Sequence, residues 1–172
     1  MARSSRMAGT SGETLTVTLT ESLTIDSRDY GGKQSMTFAN VLDVTRRLVT
    51  VLHTAESVIA TFAAVIGPGG FIASNVKYMR FTNLDDTNFI TLTFRNQDND
   101  EFAIKLDAGK SFIWCGDNDG GAESNGGMGE IFNATQDADA AYSTNFGALT
   151  NLQARADEAS VDLEFYIAGG SS

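Results

Sequence analysis

The chain has 172 residues, 42% of them hydrophobic and 20% charged, which suits one domain large enough to bury a core. It holds a single cysteine, Cys115, and a single histidine, His53, and its most apolar stretch, Val58 to Ile66, is about half the length of a ~20-residue membrane helix. These numbers exclude an intramolecular disulfide, a cysteine-based zinc cluster and any centre built from two or three imidazoles.

The net charge of −10 is unevenly spread: 9 bases and 8 acids lie at or before Gln97, and 3 bases and 14 acids follow it. So acidic a surface is repelled by nucleic-acid backbones and anionic membranes, and neither is expected as a partner. Residues 1–12 are small and polar, carry Arg3 and Arg6, and lack the apolar core of a secretion signal. They read as a flexible N-terminal arm, and the two arginines are the residues most suited to meet a partner's surface.

A strand is predicted next. Leu15, Val17, Leu19, Leu23 and Ile25 all fall on odd positions, with Thr14, Thr16, Thr18 and Thr20 between them, the period-two pattern of a half-buried strand. Tyr30-Gly31-Gly32 reads as a turn, and Met36 and Phe38 open another strand that Val44, Leu48 and Leu52 continue, with helix as the lesser alternative. Val58 to Ile66 reads as a buried strand ending at Gly67-Pro68-Gly69-Gly70. Val76–Leu84 and Phe89–Arg95 flank the turn Asp85-Asp86-Thr87-Asn88, and further short strands follow around Phe102/Ile104/Leu106 and Phe112/Trp114. Four short strands so closely spaced predict an antiparallel meander. Residues 116–129, with six glycines, read as a long loop. Alanines and acids around 134–141 and 152–159 suggest short helices. Val161, Leu163, Phe165 and Ile167 give a last strand before a short tail at 169–172. The expected architecture is all-β: an antiparallel, jelly-roll-like β-sandwich over residues 13–168, with a flexible arm before it and the Gly-rich 116–129 loop within it.

The residues that could carry chemistry are few. A Ser-His-Asp triad could be built only around His53, which lies in a valine-rich stretch, and no nucleophile elbow or phosphate-binding loop is present. Cys115, beside Trp114, reads as a small apolar core residue. Twenty-two acids make carboxylate pairs by chance, so a glycosidase pair carries no weight. Asp98-Asn99-Asp100-Glu101 and Asp117-Asn118-Asp119-Gly120 cluster hard oxygen ligands in turns, as calcium prefers, but neither fits the EF-hand spacing. They read first as ordinary polar turns. Tyr78, Tyr142, Tyr166 and Trp114 could form a sugar-stacking platform, although Trp114 shares its strand face with Phe112, which favours the core or a subunit interface. No catalytic, cofactor-binding or metal-binding residue is assigned, and the chain is not expected to be an enzyme.

The segments Val76–Phe94 and Ile104–Ile113, with the threonine-alternating strand Thr14–Thr24, resemble small virion structural proteins of tailed phages, especially marine and cyanobacterial ones. The resemblance implies a β-sandwich subunit added to the particle in many copies, without catalytic residues. The function it implies is a capsid decoration or cement protein that binds the major capsid protein, or another virion protein, as a homo-oligomer, with a trimer favoured. The virion, assembled in the host cytoplasm, would be its location. A tail, neck, baseplate or fibre-base station is the close alternative, and a carbohydrate-binding or adhesion module is the alternative of another class.

Overall fold

The computed structural model describes residues 5–63, 70–115 and 149–170. Among the described residues the structure has twelve strands: β1 (Ser5–Glu21), β2 (Thr24–Ile25), β3 (Arg28–Asp29), β4 (Gly32–Val51), β5 (Ser57–Phe62), β6 (Gly70–Phe71), β7 (Val76–Asn83), β8 (Ile90–Asn96), β9 (Glu101–Leu106), β10 (Ser111–Cys115), β11 (Leu149–Ala156) and β12 (Val161–Gly170). A front sheet has the order β1-β4-β12-β7-β10, a back sheet the order β6-β5-β11-β8-β9, and β2 and β3 form a small hairpin of their own. All pairings are antiparallel except β5 with β6.

The expected all-β sandwich is therefore present, and its strand order is that of a jelly roll. The pairs β8·β9, β7·β10, β5·β11 and β4·β12 nest one outside another, as if one long hairpin were wrapped around the core. This order corrects the meander expected from the sequence. Of the four middle strands only β8 and β9 are a hairpin, whereas β7 and β10 lie in the other sheet and pair with each other. The Asp85–Asn88 segment is thus an arch between sheets. The buried Asn83 braces it by donating its side-chain amide to the carbonyls of Asn88 (2.9 Å) and Leu106 (3.2 Å).

The core lies between the sheets because alternate residues of each strand point inward. Its centre is aromatic. Phe94 of the back sheet stacks on Phe102 at 4.7 Å and meets Phe81, Phe112 and Trp114 of the front sheet at 6.4, 5.9 and 5.4 Å. Met79, Leu152, Leu163, Phe165 and Ile167 are among the fully buried side chains around it.

Three further boundaries differ from the sequence reading. β1 begins at Ser5, and residues 5–8 pair with 43–46 of β4, so the sheet reaches into the segment expected as an arm. The open edge of β4 offers backbone partners that local composition does not reveal. β11 stands where a short helix was expected around 152–159. Leu152, Ala154 and Ala156 are buried at alternate positions, and pairing with both β5 and β8 overrides the helical preference of alanine. β12 runs on to Gly170 rather than ending at 168, because Gly169 and Gly170 still pair with Asp43 and Val41 of β4; only glycine fits at 170, where a side chain would lie 2.7 Å from the Asn40 carbonyl. The 116–129 loop and the alanine-rich 134–141 segment lie outside the described residues.

Candidate functional site

The outer face of the front sheet carries the most distinctive arrangement of side chains. Register sets them in rows of four across β4, β12, β7 and β10. Val44, Ala168, Tyr78 and Cys115 make one row, Arg46, Tyr166, Arg80 and Ile113 the next, and Leu48, Glu164, Thr82 and Ser111 the third.

A ribbon of two strands covers the first row. Beyond the end of β12, residues 32–40 of β4 have only β1 for a neighbour. At the point of departure β1 takes three more steps than β4 between the pairs Ala8–Asp43 and Glu13–Val41. Asn40 there adopts a left-handed conformation, φ 55°, and a side chain at Gly12 would lie 2.6 Å from the Asn40 Cα. This kink turns the ribbon back over the sheet. The Phe38 ring sits 5.8 Å from that of Tyr78, and the Cys115 thiol points at the Met36 sulfur at 3.8 Å, two and three strands away from β4. Leu15, Val17 and Val44 pack into the same satellite cluster, whose members Phe38, Val41, Tyr78 and Ala168 are buried.

Past Met36 the ribbon has nothing beneath it among the described residues. From Thr18 to Ser35 every residue but Gly31 is exposed. The tip is the β2–β3 hairpin, turned by Asp26 and Ser27, both at positive φ (48° and 62°). It is tied down by the Tyr30 amide on the Leu23 carbonyl (2.8 Å) and the Gly31 amide on the Asp29 carboxylate (2.7 Å). Leu19, Leu23, Ile25 and Tyr30 are 49–58% exposed here. The odd-numbered residues from Leu15 to Ile25 were expected as one half-buried stripe. Only Leu15 and Val17 are partly covered, because the sheet beneath ends at β10.

The electrostatics of the face are settled by Glu164. One carboxylate oxygen accepts from Arg46 at 2.5 and 2.9 Å, and the other from Arg80 at 2.5 Å. Burial raises the phenol of Tyr78, and that of Tyr166, above the ordinary tyrosine range, against the lowering pull of Arg80. Burial likewise raises the Cys115 thiol. The two phenols and the thiol are thus held in their neutral forms, and the Glu164 carboxylate is engaged by two guanidinium groups.

The residues singled out from the sequence scatter. Arg6 lies on β1 opposite Thr45, while Arg3, Tyr142 and the acids of 117–120 lie outside the described residues. Trp114 faces the core whereas Tyr78 and Tyr166 stand on the outer face, so these three do not form one platform. His53 sits in the β4–β5 connection, its carbonyl accepting from Arg155 at 3.2 Å. In the Asp98–Glu101 turn the Asn96 side chain accepts the amides of Asp98 (2.9 Å) and Asp100 (2.7 Å), and Glu101 pairs with Arg95. Among the described residues no group of three metal-ligating side chains converges. The sequence signal that could have located the tip is Asp26-Ser27, a turn pair inside an otherwise alternating run.

No protein-family model matches this chain, and neither does any curated protein or solved structure.

Proposed function

We propose that this chain is a non-enzymatic structural subunit of a tailed-phage virion, a decoration protein that binds the outer shell of the capsid as a homo-oligomer and stabilises it. The observation that carries the reading is the overhanging ribbon. Leu19, Leu23, Ile25 and Tyr30, exposed along the projecting ribbon and its tip, suit a clamp onto a neighbouring subunit. The jelly-roll order supports the reading more weakly, because that architecture serves capsid shells but also lectins and cupins. The resemblance of Val76–Phe94 and Ile104–Ile113 to virion proteins supplies the choice of particle.

Replacing residues 22–31 by a two-residue Asn-Gly turn tests the proposal. The variant should keep its cooperative melting transition and lose binding to particles stripped of the native subunit. Unchanged loading would sink the assignment. Copy number distinguishes the capsid from a tail, neck or baseplate station, with hundreds per particle expected for the former and tens or fewer for the latter.

A further inference from the structure

The front sheet ends in β1, and among the described residues no strand pairs with the outer edge of β1. Open edges are ordinarily guarded by brevity or by charge. The other outermost strands of the two five-stranded sheets follow that rule: β6 has two residues, β10 has five, and β9 carries Glu101 and Lys105 on its solvent side. β1 follows neither. From Thr14 to Thr20 it reads Thr-Leu-Thr-Val-Thr-Leu-Thr, seven residues of high strand preference with no charge, proline or glycine.

That segment is also a palindrome centred on Val17. An antiparallel pairing of two copies about a two-fold axis at Val17 sets Val17 opposite Val17, Thr16 opposite Thr18, Leu15 opposite Leu19 and Thr14 opposite Thr20. Every cross-strand pair is then Thr–Thr or aliphatic, the kinds that stabilise a ladder. The axis keeps odd residues on one face, so the half-exposed Leu19 of each copy comes beside Leu15 of the other, at the border of the Phe38–Tyr78 cluster. The next pair out is Glu13 opposite Glu21, a like-charge contact that ends the match where the palindrome ends.

We infer that β1 is a self-recognition edge: two copies of this chain join antiparallel through Thr14–Thr20 and fuse their front sheets into one continuous sheet. The contact is isologous and makes a two-fold, so a trimer would need a separate surface. The inference does not depend on where the protein resides.

A charge swap tests both the contact and its register. Thr16 and Thr18 are exposed, so the domain tolerates T16K/T18K and T16E/T18E, with unaltered melting as the control. In the paired register each double variant sets like charges opposite one another twice, and dimerisation measured by sedimentation should weaken on the order of tenfold. Mixing the two variants sets Lys opposite Glu at the same positions and should restore dimers, all of them mixed. A wild-type chain that sediments as a monomer at high micromolar concentration overturns the inference, as does a Lys variant that associates like wild type. Failure of the mixture to re-associate overturns the antiparallel register at Val17.

Discussion

Glu164 divides its two oxygens between Arg46 and Arg80, and the three side chains differ in exposure: 18% for the carboxylate, 35% for Arg80 and 64% for Arg46. The less exposed pair is the better held, since screening and side-chain entropy weaken exposed ion pairs. Glu164→Gln should therefore lower stability by about 1 kcal/mol in urea titrations, and Arg46→Ala by less than Arg80→Ala. Phe94 stands at the other extreme. It is fully buried and touches four aromatic rings across both sheets, so Phe94→Ala should cost about 3–5 kcal/mol and leave little folded protein at 37 °C. Asp85 gives a pH signature. The amides of Asn88 and Thr87 hold its carboxyl below the ordinary aspartate value, so its contribution is present above that value and fades as pH falls through the lower folded one. Asp85→Asn should flatten the acid limb of the stability curve in that window, a difference that melting temperatures from neutral pH downward will register.

At the scale of elements, the ribbon is held to the sheet by few side chains. Phe38→Ala removes the ring against Tyr78 and should cost about 3 kcal/mol of local stability. Its clearest readout is Cys115. Burial raises that thiol and keeps it protonated, so uncovering it lowers the value, raises the thiolate fraction at a given pH, and speeds alkylation several-fold relative to wild type. An unchanged alkylation rate would mean the ribbon does not shield the thiol. The strands themselves were largely legible from period two: β4, β7, β8, β9 and β12 stand where Val44, Val76–Leu84, Phe89–Arg95, Phe102–Leu106 and Val161–Ile167 predict them. Their partners were not. Nothing in Asp85–Asn88 says whether the chain turns back within a sheet or arches to the other, because that depends on which buried faces meet. β11 was hidden for a related reason: Leu152, Ala154 and Ala156 favour a helix alone and a strand only between β5 and β8. The candidate site was less legible still. Alternation from Leu15 to Ile25 reports a strand with one apolar face, and only the kink at Gly12 and Asn40 decides where that face ends up.

For the whole molecule, topology sets the folding rate. β4 and β12 join Val51 to Val161, and β5 and β11 join Ala60 to Leu152, so most of the core forms only after long loops close. Refolding followed by the fluorescence of Trp114, which packs on Phe94 and Phe102, should relax in milliseconds to seconds. A single sub-millisecond phase carrying the full amplitude would contradict this.

The overhang has a mechanical meaning. From its last support at Met36 to the turn at Asp26 and Ser27, the ribbon runs roughly 25–30 Å at about 3.3 Å per residue. It is therefore a lever with a short, packed inner arm and a long, free outer one. A rotation of about 10° at Met36 and Phe38 displaces the tip by roughly 4–5 Å over that length, more than the width of a side chain. Small differences in how Met36 and Phe38 seat against Cys115 and Tyr78 are thus magnified at Leu23, Ile25 and Tyr30; in the clamp proposed above, that magnification would let one rigid sandwich meet neighbouring subunits at slightly different angles.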